Sequence, residues 1–266
     1  MTDWVGTWTQ TRTAAVPGAA RNAAATHAPS PAYGFGQAPY TPSPVPAAAV
    51  GLPSPRPSRG AFRILYVCTG SVCRSPMAER LTRLELAARL GDGAAGIEVH
   101  SAGTWGHEGA PMEANAAAVL AEYGADSAHF TGRELLDEHV IDADLVLTFT
   151  QDHRAQVISM GHAAGLRTFT LKEFTRLLGA IDQATLPVAP GGGPRAIAER
   201  ARALVRAAAA LRGWLLAASP EADEVEDPYG APISLFRACG EEIFAAVDPL
   251  VTALTGVPRT GAATAY

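Results

Sequence analysis

Short apolar segments alternate with amphipathic segments between residues 61 and 255, and this alternation is the main structural signal of the chain. Runs rich in apolar and β-forming residues that are too short for helices indicate buried strands. The predicted strands are 62–67, 97–100, 145–150 and 167–171. Because strands that alternate with helices pair in parallel and are covered on both faces, the pattern predicts an α/β fold. We expect a doubly wound, open parallel sheet of about four strands, of the flavodoxin-like type.

Helical periodicity fills the intervals between these strands and the region after them. The predicted helices are 76–90, 112–123, a helix capped by Asp152 and ending at Met160, 173–178, 195–217 and 233–254. The segment 186–194 contains three consecutive glycines and is predicted to be a flexible loop. Right-handed crossovers place the carboxyl ends of all the strands at one edge of the sheet, where such folds bind ligands.

The first 60 residues have a different composition from the rest. They contain ten of the 20 prolines, no helical or strand periodicity, and a net charge of about +3, whereas the remaining residues carry about −8. A segment of this kind buries too little apolar surface to offset its chain entropy. We therefore predict a disordered tail at 1–60, a globular domain at 61–255 and a second disordered tail at 256–266.

Composition excludes several classes of protein. Three cysteines cannot form a disulfide scaffold, and their odd number favours a reducing, cytoplasmic location. No basic segment followed by an apolar run marks a signal peptide, and no run approaches the roughly 18 apolar residues of a membrane span. A single lysine, Lys172, in an acidic domain argues against nucleic acid as the main partner.

The candidate chemistry follows the first predicted strand, in the segment from Cys68 to Pro76. A tight turn between a strand and a helix directs several backbone N–H groups inward, and the helix dipole adds positive potential. Arg74 adds a planar guanidinium suited to two oxygens of a tetrahedral oxyanion. These groups would hold Cys68 as a thiolate aimed at phosphorus. No cluster of carboxylates and histidines indicates a magnesium or zinc site, so no metal or other cofactor is expected.

The chain resembles the low-molecular-weight protein tyrosine phosphatase family over about residues 62–254. The resemblance rests on three motifs, which are VCTGSVCRSPMAE at 67–79, SAGT at 101–104 and DPYG at 227–230. The first and last motifs, in this order around an α/β pattern, form a specific signature. The resemblance implies a phosphatase I-like fold and metal-independent hydrolysis of phosphotyrosine in protein substrates.

The resemblance also implies a role for each motif residue. Cys68 is the expected nucleophile, Arg74 the oxyanion ligand and Ser75 the hydroxyl that helps Cys68 to depart. Asp227 is the expected general acid and then base, and the Tyr229 ring is expected to line the cleft. The residues expected to bind phosphate are Thr69, Gly70, Ser71, Val72, Cys73, Arg74 and Ser75.

Two loop residues bear on how the family pattern applies. Ser71 departs from the family's usual Asn, which tolerates a left-handed backbone better, so we expect a looser loop and slower turnover. Val72 occupies the place where the protein-arginine phosphatase branch carries Thr, which favours phosphotyrosine as the substrate.

Other positions are assigned with alternatives left open. Cys73 is either a redox partner of Cys68 or a small buried side chain, and Cys239 is expected in the core. Trp105 and His107 either contact substrate or cover the domain surface. Five histidines are interpreted as structural or solvated: His100, His129, His139, His153 and His162.

Two alternative functions are weighed against the phosphatase. An arsenate reductase of the same fold needs two further mid-chain cysteines to relay a disulfide, and none lies between Cys73 and Cys239. Ser71 and the long N-terminal tail favour a weakly active phosphoprotein-binding module. The complete set of catalytic residues argues against it: Cys68, Arg74, Ser75 and Asp227. The sequence does not indicate an oligomeric state.

Every residue with an assigned chemical role follows the proline-rich segment, so we predict that removal of residues 1–55 leaves catalysis intact. The measurement is kcat/KM of the full chain and the truncated chain on one phosphate monoester. A large loss of rate on truncation would show that this segment is part of the enzyme fold.

Overall fold

The centre of the fold is a parallel sheet of four strands, and its order is β2-β1-β3-β4. The computed structural model describes residues 60–259, so all but the last residue of the predicted tail at 1–60, and residues 260–266 of the second tail, lie outside the described residues. The strands are β1 Phe62–Cys68, β2 Ile97–Gly103, β3 Leu145–Thr148 and β4 Thr168–Thr170. The sheet confirms the predicted architecture.

Seven α-helices accompany the sheet in the described part of the chain. They are α1 Arg74–Leu90, α2 Ala114–Glu122, α3 Asp137–Asp142, α4 Gln151–Met160, α5 Leu171–Leu178, α6 Gly193–Leu211 and α7 Ile233–Thr255. Among residues 60–259, none of these helices has the length and apolar composition that a membrane span requires.

The two faces of the sheet pack against different helices because successive side chains of a strand point to opposite faces. Alternate β1 residues such as Ile64 and Tyr66 belong to the larger core cluster, with side chains from α1, α5, α6 and α7. Leu65 and Val67 belong to a smaller cluster with residues of α3 and α4. Strands that are buried on both sides carry continuous apolar sequence, which explains why the sequence pattern identified them.

Strand β1 pairs with both β2 and β3, and Val67 aligns with Ala102 on one side and Thr148 on the other. The loops that follow these three strands therefore meet at one edge of the sheet. They are the loop of residues 68–75, the segment after Gly103 and the start of α4 at Gln151.

Helix α4 corrects one predicted detail. Thr150, not Asp152, is its N-cap, and its side chain accepts a hydrogen bond from the His153 N–H. Strand β3 ends at Thr148, so Thr150 already has the extended backbone (φ −140°, ψ 164°) that an N-cap requires. Asp152 lies in the first turn of the helix, where its negative charge interacts favourably with the helix dipole.

Helix α6 is shorter than predicted, ending at Leu211 instead of continuing to residue 217. Arg212 leaves the helical conformation, and its guanidinium donates to the Gly165 and Thr168 carbonyls and stacks 3.9 Å from the Phe169 ring centroid. Gly213 then turns the chain with a φ of 88°. Tertiary contacts of Arg212 therefore end a helix whose composition favours continuation.

Candidate active site

The loop of residues 68–75, which joins β1 to α1, has its carbonyl groups bonded outward. The carbonyls of Cys68, Thr69 and Gly70 accept hydrogen bonds from the N–H groups of residues 104, 105 and 107, at 2.9, 3.0 and 3.0 Å. The Val72 carbonyl accepts from the Glu113 N–H at 3.0 Å. Because a peptide N–H points opposite to its carbonyl, the loop N–H groups face its inner side, at the amino end of α1. This arrangement is a nest for an anion.

Gly103 explains why the SAGT motif accompanies the loop. A Cβ atom at Gly103 would lie 2.3 Å from the Thr69 carbonyl oxygen and 2.8 Å from the Ser71 nitrogen. Strand β2 therefore approaches the loop of residues 68–75 backbone to backbone, at a distance that only glycine allows.

Ser71 has the left-handed backbone that the sequence predicts, with a φ of 55°. Its side chain is completely buried, and its hydroxyl has no hydrogen-bond partner in the described structure. A non-glycine residue in this region costs about 1–2 kcal/mol, and a buried unpaired hydroxyl adds a cost of about 1–3 kcal/mol. Ser71 is thus the least favourable residue of the loop.

Cys68 lies at the base of the loop with 2% of its surface exposed. Its Sγ lies 3.1 Å from the Ser75 Oγ, and Ser75 is also within 3.4 Å of the Ala102 carbonyl. The Ser75 hydroxyl is therefore placed to donate to a thiolate at Cys68, which is the contact that its predicted role needs.

Arg74 is buried and binds the elements around it through its terminal nitrogens. Nη1 donates to the Val225 carbonyl at 3.1 Å, and Nη2 donates to Asp227 Oδ2 at 2.5 Å and to Thr69 Oγ1 at 3.4 Å. The buried Nε has no partner among the described residues. A buried, unpaired charged donor at the mouth of an anion nest is the group expected to bind an oxyanion.

Asp227 and Tyr229 reach the same site from the far end of the chain. Asp227 binds Arg74, and its Oδ1 accepts a hydrogen bond from the Tyr229 N–H at 3.2 Å. The exposed Tyr229 ring lies edge-on to the His107 ring, with centroids 6.3 Å apart, and His107 lies over Gly70. These two rings form a rim beside the loop, whereas the Trp105 side chain is 78% exposed.

The other two thiols are buried and protonated. Burial raises the pKa of Cys73 strongly, and the nearby Cys68 raises it further. Burial also raises the pKa of Cys239 to about 12, and Cys239 lies in the core, as predicted. All three cysteines are free thiols, and the redox role of Cys73 stays a prediction.

His153 belongs to the site, although the sequence analysis interpreted it as structural or solvated. It is buried, and its Nε2 lies 3.0 Å from Thr69 Oγ1 while its Nδ1 lies 2.8 Å from Thr150 Oγ1. Burial lowers the pKa of His153 to about 4, with a further contribution from the positive charge of Arg74. The sequence feature that could have assigned His153 to the site is its position just after a strand, at the sheet edge where the Cys68 loop lies.

A cavity of about 410 Å³ adjoins these groups, and Thr69, Arg74, His153 and Asp227 form part of its wall. Within residues 60–259, no cluster of three or more His, Cys, Asp or Glu side chains is arranged to hold a metal ion. The site therefore combines a thiol, an anion nest, a guanidinium and a carboxylate around a cleft open to solvent.

We predict that Ser71→Asn stabilises the loop, since Asn tolerates positive φ and its amide can pair where the hydroxyl does not. The expected result is a higher Tm, tighter binding of inorganic phosphate and faster turnover. Ser71→Ala is the matched control, because it removes the unpaired hydroxyl and keeps the strained backbone. Unchanged phosphate affinity and turnover in Ser71→Asn would contradict the prediction.

We predict that Gly103→Ala displaces the loop, because the added methyl group collides with backbone atoms of Thr69 and Ser71. Phosphate affinity should fall at least tenfold, as measured by calorimetric titration. Gly165→Ala is the control, since an added Cβ there meets no atom within 4 Å. Equal phosphate affinity in both variants would mean that the close approach of β2 does not shape the loop.

Comparison with known proteins agrees with this geometry. The family model of low molecular weight phosphotyrosine protein phosphatases matches residues 63–185. A protein-arginine-phosphatase of Geobacillus stearothermophilus is 29% identical over 193 residues, which cover 73% of this chain and 96% of that protein. Low molecular weight protein-tyrosine phosphatase A of Mycobacterium bovis is 34% identical over 128 residues, 46% of this chain and 75% of that protein.

Solved structures give the same result. An arginine phosphatase from G. stearothermophilus superposes with a TM-score of 0.51 at 29% identity, over 73% of this chain and 94% of that chain. The matched region contains the Cys68 loop, and these relatives are named as protein-arginine or protein-tyrosine phosphatases. The chain therefore belongs to the low-molecular-weight protein-tyrosine phosphatase family and is a hydrolase.

Proposed function

We propose that this protein hydrolyses phosphotyrosine in protein substrates through a phosphocysteine intermediate. The observation that carries the proposal is the assembly of Cys68 with Ser75, and of Arg74 with Asp227, around one anion nest. Ser75 lies within hydrogen-bond distance of the Cys68 sulfur, and Asp227 is held beside Arg74 at the same end of the sheet.

In the first step, the Cys68 thiolate attacks phosphorus in line, so that the S–P bond forms as the P–O bond to the phenol breaks. Asp227 in its acid form gives its proton to the departing phenolate oxygen. The loop N–H groups and the Arg74 Nε–H bind the equatorial oxygens, whose charge is stabilised by donors already in place.

In the second step, the Asp227 carboxylate removes a proton from water, which attacks phosphorus. The S–P bond breaks, inorganic phosphate leaves and the thiolate is restored. The Ser75 hydroxyl, 3.1 Å from Sγ, stabilises the negative charge that returns to sulfur. A bound phosphoryl group competes with Asp227 for Arg74 Nη2, which frees the carboxylate for proton transfer.

Phosphotyrosine is supported by the rim of the cleft. The exposed Tyr229 ring and the neighbouring His107 ring offer flat surfaces against which an aromatic leaving group can pack. Val72 supplies a methyl group, not a hydroxyl, at the position that distinguishes the arginine phosphatase branch. Trp105 remains a candidate contact for the peptide around the phosphorylated residue.

Phosphoarginine is the second candidate substrate. The Geobacillus protein-arginine-phosphatase aligns with 73% of this chain, more than the 46% aligned with the Mycobacterium tyrosine phosphatase.

A cytoplasmic location is also part of the proposal, because a nucleophilic thiol requires a reducing environment.

The mechanism is tested by hydrolysis of para-nitrophenyl phosphate. We predict that Cys68→Ser abolishes turnover and that Asp227→Ala lowers kcat by about 10²–10⁴-fold, the usual contribution of a general acid. Cys239→Ala is the control for loss of a thiol outside the loop and should stay active. Tight retention of phosphotyrosine peptides with negligible turnover by the wild type would instead favour a binding module.

The substrate is tested by comparing kcat/KM for peptides that carry phosphotyrosine or phosphoarginine at the same position. We expect the wild type to prefer phosphotyrosine at least tenfold, and Val72→Thr to narrow that preference. A wild-type preference for phosphoarginine would overturn the tyrosine assignment and leave the phosphocysteine chemistry standing.

A further inference from the structure

The proposed mechanism leaves one buried polar group of the site unused. His153 lies at the start of α4, six per cent exposed, and joins two threonines of different loops. Its Nε2 is 3.0 Å from Oγ1 of Thr69 in the phosphate-binding loop, and its Nδ1 is 2.8 Å from Oγ1 of Thr150.

The number of donors and acceptors restricts where the protons of these three side chains can lie. A neutral imidazole carries one N–H, so one ring nitrogen donates and the other accepts. Thr150 Oγ1 already accepts a hydrogen bond from the His153 backbone N–H at 3.2 Å. If Thr150 donates to Nδ1, the Nε2–H donates to Thr69, and the free hydroxyl proton belongs to Thr69. In the opposite tautomer the free proton belongs to Thr150.

Exposure decides between these two arrangements. Both threonines line the same cleft, but Thr69 is exposed whereas Thr150 is only half-buried. A hydroxyl proton without a fixed acceptor has a lower free-energy cost at the more exposed group, where water or a ligand can accept it. The arrangement with Nε2–H therefore has the lower energy.

The ring must be neutral for this arrangement to hold. Arg74 lies close by, since its Nη2 is 3.4 Å from Thr69 Oγ1, and its charge opposes protonation of His153, as does burial. Asp227 and Asp152 act in the opposite direction and are weaker contributions. The pKa of about 4 keeps His153 neutral at physiological pH.

We propose that His153 is a positioning residue whose Nε2–H fixes the Thr69 hydroxyl, so that Thr69 donates its own proton to the oxyanion in the cleft. Thr69 Oγ1 then accepts from both Nε2–H and Arg74 Nη2–H, and its proton points into the space beside Arg74 and Asp227. The inference rests on the proposed function, because it adds one donor to the group of donors that bind the transferred phosphoryl group.

Two amide substitutions of His153 distinguish the contribution of one ring nitrogen from that of the other. The Gln side-chain amide reaches the place of Nε2, and the shorter Asn amide reaches only the place of Nδ1. We expect His153→Asn to lower kcat/KM on para-nitrophenyl phosphate about tenfold, the size of one hydrogen bond to a charged oxygen. His153→Gln should stay within about threefold of wild type, and His162→Asn, at an exposed histidine, should change nothing. Equal losses in His153→Gln and His153→Asn would overturn the proposal.

A double-mutant cycle tests whether His153 acts through Thr69. Thr69→Val alone should cost about tenfold, and adding His153→Asn to Thr69→Val should cost less than a further twofold. The same pattern is expected for the affinity of inorganic phosphate, which does not depend on turnover. Additive losses in both measurements would assign His153 to general stability and contradict the proposed role.

The tautomer itself is measurable by ¹⁵N NMR of the imidazole ring in the wild-type protein. We expect the proton on Nε2 at pH 7, and a proton on Nδ1 would overturn the inference. A wild type without activity on any phosphate monoester would refute the proposed function, while the tautomer and phosphate affinity would still decide the role of His153.

Discussion

The outward hydrogen bonding of the loop carbonyls is the constraint on which the rest of the site depends. The N–H groups of residues 104, 105 and 107 bind the carbonyls of residues 68–70, and this bonding directs the loop N–H groups toward the inner side of the loop. The chain achieves this by bringing β2 against the loop at Gly103, where a side chain would collide with backbone. The anion nest is therefore a product of strand pairing, and the helix dipole of α1 adds to a geometry that is already set.

A second layer of contacts orients the side chains around that nest. Arg74 is held by the Val225 carbonyl and Asp227, Cys68 by Ser75, and Thr69 by His153. Three of these contacts join segments more than 80 residues apart in sequence, so the site is built by the tertiary fold. Ser71 is the exception, because it bears backbone strain and an unpaired hydroxyl without a compensating contact in the described structure.

Much of this fold could be predicted because its strands are short apolar runs and its helices are periodic. The positive φ of Ser71 agrees with the expectation drawn from the family's usual Asn at this place, a residue that tolerates a left-handed backbone. Helix α3 was missed because six residues with one buried apolar side chain, Val140, give no periodic signal. The early end of α6 was missed because Arg212 is held by Gly165, Thr168 and Phe169, which local propensity cannot register.

The role of His153 could not be recognised residue by residue, because a single histidine after a strand is usually solvated. It follows once the order β2-β1-β3-β4 makes β1 and β3 neighbours, since the residues after those strands must then meet. Of the predicted site residues, Thr69, Arg74 and Asp227 line one cleft, and Cys68 and Ser75 contact each other in the adjoining loop. The Trp105 side chain is 78% exposed.

The pairing of Arg74 with Asp227 spans 153 residues of sequence and has a consequence for biosynthesis. A growing chain presents the Cys68 loop long before the segment that contains Asp227 has been made, and loop closure over such a separation is slow. Until that closure, Arg74 lacks Asp227 and the Val225 carbonyl, the two groups that hold its guanidinium in the folded domain. The position of Arg74 therefore reports on the completeness of the whole domain, because it requires segments from both ends of the domain to be in place.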